Sequence, residues 1–272
     1  SLENDRKLND SRYELAVENQ DLIQKNNKVQ RWIIGSLILI ALLLLYSAYT
    51  LYKGNKQQKN ANNRLALKSL RTQMNPHFIF NALNSVNSFI ASNDERAANK
   101  YLSEFSQLMR AVLENSEEDF ISLEKEIKLL ELYVKLEHFR FKDKFDYVLN
   151  ISEDLRLSEF VIPPMLLQPY IENSVWHGLR YKEGKGLLEI NFDQLDSKTI
   201  KISIIDNGIG REKSIEFKTE NQKKQNSKGM GNIQKRILIL NQMYKDKVDV
   251  TIENIFENGE GTKVTLILKK DW

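Results

Sequence analysis

The sequence predicts an α+β protein in which a long helical amino-terminal half, containing one membrane-crossing helix, precedes a layered domain of strands and helices. Three observations predict it. Residues 32–52 form a single uncharged apolar run. Apolar residues then recur at helical spacing as far as Phe141. From Phe145 the pattern changes to short alternating segments, the mark of half-buried strands.

The 272 residues hold two modest domains with extensions. Forty Lys and Arg against 37 Asp and Glu leave too small a balance to argue for direct nucleic-acid binding. The absence of cysteine excludes disulfides and thiolate metal sites. His77, His138 and His177 lack metal-ligand spacing, so no zinc centre is expected. Because the chain opens on Ser1 and a polar helix precedes the apolar run, it reads as a piece of a longer protein whose upstream sensing domain lies outside it.

Residues 1–31 are polar, with Leu8, Leu15, Leu22 and Val29 at every seventh position, one seam of a helical pairing. Polar Arg12, Asn19 and Asn26 between them leave two readings, a weak extracytoplasmic coiled coil or a solvated single helix. In the run 32–52, roughly 20 residues suffice for a helix to cross a bilayer. Trp32 at one end and Tyr46, Tyr49 and Tyr52 toward the other suit the interfaces, with Arg31 and Lys53 closing the run. Basic residues are nearly balanced about it, slightly favouring a cytoplasmic carboxyl side, which a downstream ATP site would require. Residues 53–74, with Leu65, Leu67 and Leu70, read as a linker helix from the membrane to Pro76.

The region 75–142 opens on Asn75-Pro76-His77-Phe78-Ile79-Phe80-Asn81. Helical spacing from Pro76 puts His77, Asn81, Asn84 and Ser88 on a polar stripe, with Ile79, Ala82, Leu83, Val86 and Ile90 on an apolar face. Neutral imidazole is nucleophilic, so His77 at a helix surface is a phosphoryl acceptor if another part of the chain supplies ATP. The plainer alternative is a helix start, with Asn75 as N-cap and Pro76 at the first helical position. Pro76 also predicts a kink in any helix arriving from upstream. After a break at Ser92-Asn93-Asp94, a second helix carries Tyr101, Leu102, Phe105, Leu108, Val112 and Leu113. Two such helices leave an apolar face that dimerisation into four would bury. A third begins near Ser122 and runs to about Phe141.

Strands are expected at 146–151, 187–195, 199–205, 248–255 and 262–268, with helices at 165–179 and 233–244. No P-loop is present. Three groups are candidates for a different nucleotide site. Asn173 and His177, one turn apart beside Glu172, offer oxygen and nitrogen groups to hydrated Mg²⁺ and phosphates, or are simply solvated. Asp206-Asn207-Gly208-Ile209-Gly210 is either a hairpin turn or a loop in which Asp206 accepts from an adenine amine while Gly208 and Gly210 admit the ligand. Gly229-Met230-Gly231, read at the head of a helix after a basic stretch, offers free amides to phosphate, or ends a disordered loop.

Together with Leu167-Gln168-Pro169-Tyr170-Ile171-Glu172-Asn173-Ser174-Val175-Trp176-His177-Gly178, these motifs resemble the sensor histidine kinases of the LytS/YehU type. The resemblance covers about residues 65–270. It implies a Bergerat-type (GHKL) α/β sandwich over 143–272 that binds ATP and Mg²⁺, in a membrane-bound homodimer. It also implies autophosphorylation of His77 and transfer to a response-regulator aspartate, commonly a regulator with a LytTR DNA-binding domain. Carried onto this chain, it makes Asn173 the Mg²⁺ ligand, Glu172 a polar partner of the γ-phosphate or a proton acceptor, and Asp206 the adenine reader. Gly208 and Gly210 shape the adenine loop, and Gly229 and Gly231 border a lid. In a phosphatase-dominated variant, Asn81 orients water; in a non-catalytic one, ATP only sets dimer shape. Phe78 stands where many histidine kinases carry an acidic residue, and Asn232-Ile233 follows the second glycine motif at once.

Overall fold

The computed structural model describes residues 2–72, 76–116, 118–216, 220–257 and 259–270, and side chains within these outside 2–11, 70–77 and 220–230. The expected kink at Asn75-Pro76 therefore falls outside the described residues. The chain divides into two units, 1–62 and 63–272.

The first unit is helix alone, part of α1 (Leu2–Thr72). Within α1 lies a span long and apolar enough to cross a membrane, and its residues from Trp32 to Tyr52 present their side chains outward. Leu15, Leu22 and Val29 of the heptad seam are likewise exposed.

The second unit begins with the end of α1, where Leu67 is buried. It continues through α2 (Pro76–Ala91) and α3 (Glu95–Ser116). Asn93 takes a left-handed conformation after α2, and the Asp94 carboxylate accepts from the Ala97 amide to cap α3. A short strand β1 (Ile121–Ser122) leads into α4 (Leu123–Arg140), whose Ser122 side chain accepts from the Lys125 amide. The face that α2 buries differs from the expected one. Phe78, Asn81, Ala82 and Ser85 are buried, while Leu83, Ile90 and Phe80 are exposed. Phe78 packs between Phe105 and Tyr133, and these large rings on α3 and α4 select the face carrying Phe78.

Strands β2 (Phe145–Ile151), β4 (Gly186–Asp196), β5 (Thr199–Asp206), β6 (Val248–Asn254) and β7 (Thr262–Lys269) form one sheet in the order β2-β4-β5-β7-β6. All five were legible from alternation. The β2–β4 pair is parallel and the others antiparallel. A parallel pair needs a crossover. It runs through β3 (Val161–Ile162), paired with β1, then α5 (Gln168–Asn173) and a π-helical turn (Ser174–Leu179). Leu188, Ile190, Phe192, Ile200, Ile202 and Ile204 are all but fully buried, whereas alternate positions such as Glu189 and Asp193 are only half-buried. The sheet thus has one covered face, completing an α+β domain with α6 (Arg211–Glu216) and α7 (Glu220–Tyr244).

Two helices depart from expectation. The segment 165–179 becomes α-helical only at Gln168, because Pro163 and Pro164 precede it and Met165 has φ 59°. It then widens, with the Arg180 amide donating to the Val175 carbonyl five residues back. Helix α7 starts at Glu220 rather than Ile233, since the intervening lysines and glutamines are strong helix formers.

Candidate nucleotide site

Strand periodicity delivers the central carboxylate. Ile200, Ile202 and Ile204 point to the covered face, and the same two-residue period carries Asp206 there, at the carboxyl end of the central strand. Asp206 is 1% exposed. Burial pushes its pKa up to about 6, against hydrogen bonds from the Ser174 hydroxyl and the Gly208 amide and the charge of Lys182. The Gly208 amide lies 3.0 Å from Oδ1. At Gly178, an added Cβ would stand 2.7 Å from the same oxygen.

The sequence 206–210 is not a hairpin. It connects β5 to α6, and its hydrogen bonds reach two other segments: the Ile209 amide donates to the Gly178 carbonyl at 3.2 Å, and the Gly261 amide donates to the Gly208 carbonyl at 2.9 Å. Asn207 accepts from the Leu187 amide at 2.8 Å, and Lys182 Nζ donates to the Asn207 carbonyl at 2.6 Å. Gly208 lies so close to the Gly178 backbone that a side chain has no room, and Gly210 has φ 82° with its open side against Gly259.

These segments wall a cavity of about 290 Å³, near the lower end of the roughly 300–1,000 Å³ usual for small-molecule sites. Asn173, His177, Asp206 and Gly210 line it together, drawn from the crossover helix and the β5–α6 loop. Sequence reasoning missed Tyr170, Ser174, Gly178, Arg211, Ser214 and Gln234, which line it too. For Ser174 and Gly178 a signal existed, since they sit inside the Glu172 to Gly178 motif one turn apart and face the same way.

The remaining candidates lie elsewhere. Glu172 does not line the cavity. It lies toward α4, where its charge raises the pKa of Glu137 and Tyr133. One helical position separates it from Asn173, about 100° around the axis, which turns it off the cavity side. Gly229 and Gly231 are inside α7, about ten residues from its start, so the expectation of free amides at a helix head is corrected: the helix uses them. Gly231 has no atom near its missing Cβ. His77 is the second residue of α2, and Asn81, one turn on, is buried rather than on a solvent stripe.

Among the described residues no cluster of three or more His, Asp and Glu is placed to hold a metal. Asn173 puts a side-chain amide on the cavity wall, an oxygen donor of the hard kind that a largely hydrated cation takes.

Residues 65–145 match the family model for histidine kinases. The sensor protein LytS of Oceanobacillus iheyensis is 31% identical over 191 residues, 68% of this chain and 32% of that protein. The sensor histidine kinase YpdA of Escherichia coli is 31% identical over 186 residues, with the same two coverages. The chain thus spans about a third of the length of these curated relatives. The histidine kinase domain of the Erythrobacter litoralis blue-light activated histidine kinase superposes at TM-score 0.40 and 10% identity, over 74% of this chain and 94% of that one. On the family match and the two relatives, the chain belongs to the histidine kinases and is similar to their LytS-type sensor proteins.

Proposed function

We propose that this chain is the membrane and kinase portion of a two-component sensor, which phosphorylates His77 from ATP and passes the phosphoryl group to an aspartate of a response regulator, one of the LytTR type. The observation that carries this reading is Asp206, a buried carboxylate in a cavity it shares with Asn173 and His177. A buried carboxylate that opens on a cavity suits a ligand amine, and the exocyclic amine of adenine is such a donor. Gly210 lines the cavity and brings backbone up to the base, while Gly208 seats the loop against Gly178. Asn173 would hold Mg²⁺, which would neutralise phosphate charge, and His177 and Arg211 line the same cavity and would meet the phosphates.

In the transfer step the His77 imidazole nitrogen bonds to the γ-phosphorus as the bond to the bridging oxygen breaks, and ADP leaves. Such transfer depends mainly on positioning and charge, so a nucleotide domain that docks against α2 suffices. The burial of Asn81 favours this reading over one in which that amide orients water.

We assign 1–31 to an extracytoplasmic helix, 32–52 to a single transmembrane pass, 53–74 to the linker, 75–142 to dimerisation and phosphotransfer, and 143–272 to nucleotide binding in the cytoplasm. Phe80, Leu83 and Ile90 of α2 with Leu102 and Leu113 of α3 are exposed apolar residues, and a homodimer buries them. The test is incubation of the full chain in membranes with γ-labelled ATP and Mg²⁺. Label that is acid-labile and base-stable supports phosphohistidine; a chain that takes up no label refutes the kinase reading.

A further inference from the structure

Helix α4 carries a stripe of polar side chains that a surface helix would turn to water. Glu126, Tyr133 and Glu137 stand at spacings of seven and four, on one face, and each is 1–2% exposed. Arg140, one turn on, is half-buried. The stripe faces the crossover segment, and its two ends grip it. At the first end the Glu126 carboxylate accepts from the Met165 amide at 2.8 Å and the Leu167 amide at 3.4 Å. Arg236 of α7 holds the other side of the same backbone, donating to the Pro164 carbonyl at 2.6 Å and the Met165 carbonyl at 3.3 Å.

At the second end Trp176, in the π-helical turn, donates its indole N–H to Glu137. The Arg140 guanidinium lies 4.5 Å from the Trp176 ring and 5.0 Å from that of Phe141. Glu137 Oε2, Tyr133 Oη and Arg140 Nη1 are buried without hydrogen-bond partners, and the indole N–H of Trp176 with the charge of Arg140 holds the Glu137 carboxyl in place. Asn173 and His177, three residues before Trp176 and one after it, line the cavity.

We propose that Glu137 is a positioning residue for the nucleotide site: with Glu126 it makes α4 a splint along the crossover helix, and through Trp176 it sets where Asn173 and His177 stand. This rests on the nucleotide reading of the cavity. The arrangement links two regions directly, because α4 lies within the stretch that matches the histidine kinase model while the cavity lies beyond it. Holding a buried carboxyl against an indole costs desolvation, which raises the Glu137 pKa to about 7, and no contact of Glu137 with the cavity repays it. The groups facing Glu137 are Tyr133 and Arg140 on its own helix, Tyr101 from α3, and Glu172 and Arg180 from the crossover segment.

The test uses the full chain with Trp32→Phe and Trp272→Phe, leaving Trp176 as the sole indole. Calorimetry with Mg²⁺ and a non-hydrolysable ATP analogue gives affinity, and Trp176 emission reports the joint. Glu137→Leu is expected to weaken affinity at least fivefold and to abolish the nucleotide-induced change in emission, with the far-UV circular dichroism spectrum unchanged. Glu137→Gln, which keeps a carbonyl acceptor for the indole, is expected to restore both. If Glu137→Leu fails to fold, Trp176→Phe in the chain that retains Trp32 and Trp272 removes the same bond from the other side and is expected to show the same loss of affinity. Wild-type affinity in either folded variant overturns the proposal. Asp206→Ala separates the two readings: if the parent chain binds the analogue and Asp206→Ala does not, unchanged binding by Glu137→Leu sinks the splint alone. If the parent chain itself binds no nucleotide, the cavity assignment fails.

Discussion

Asp206 is torn between stability and binding. Its folded pKa of about 6 lies above the ordinary 3.8 because burial penalises the charged form. A group whose pKa is raised on folding stabilises the fold while protonated, so its contribution is complete below about pH 4 and is lost as pH rises through 6. Two units correspond to roughly 3 kcal/mol. Asp206→Asn is nearly isosteric and never ionises, so thermal denaturation of the apo chain should show the variant gaining on wild type at pH 8 and matching it near pH 4. Calorimetry should show the opposite for ligand: the variant loses affinity for an ATP analogue, and wild-type affinity rises between pH 5 and 7. A variant that binds as tightly as wild type at pH 7 would remove Asp206 from adenine recognition. The position of this residue was readable, because alternation from Ile200 through Ile204 carries it to the covered face. The buried stripe on α4 was not. Glu126 and Glu137 look like ordinary solvated helix charges, and only the tertiary partners at Met165, Leu167 and Trp176 show why they are inside.

At the scale of elements, the strands were legible because the sheet has one covered face, which writes a two-residue period into each of them. Helix ends were harder. The crossover helix starts at Gln168 because Pro163, Pro164 and the left-handed Met165 hold off helical backbone, and Glu126, far away in sequence, accepts from the amides of Met165 and Leu167 just before it. The prolines are a local signal, but the carboxylate partner is not. Helix α7 shows the reverse failure, since Gly229 and Gly231 resemble a boundary yet fall inside a helix favoured by its lysines and glutamines. This placement has a consequence. An interior helical glycine with open space around its missing Cβ is a site where alanine costs nothing sterically and restricts the unfolded chain. Gly231→Ala should therefore stabilise the chain by about 0.5–1 kcal/mol, read as a small rise in Tm. A fall in Tm would show that the glycine serves a conformation other than helix.

The whole molecule sets the assignment of the phosphoacceptor. Of the three histidines, His177 lines the cavity and His138 is engaged with Asp146 at 3.6 Å between the rings of Phe145 and Tyr147. His77 alone belongs to α2, the helix whose outward apolar residues suit a dimer core. The proposed nucleotide site then serves either its own α2 or that of the partner. His77→Gln should abolish phosphorylation and leave calorimetric nucleotide binding intact. Asn173→Ala should impair use of Mg·ATP yet leave His77 able to receive phosphate. Co-expressed chains of different tag length, one with each substitution, separate the two routes in a single gel. In the mixed dimer the His77→Gln chain has a working nucleotide site and no acceptor, while the Asn173→Ala chain has an acceptor and a damaged site. Label on the Asn173→Ala chain is the expected result if transfer crosses the dimer, and its absence, with wild-type homodimers labelled alongside, assigns transfer within one chain. Label retained by the His77→Gln chain at another histidine would overturn the phosphoacceptor itself, because no arrangement of the dimer produces it with His77 as the acceptor.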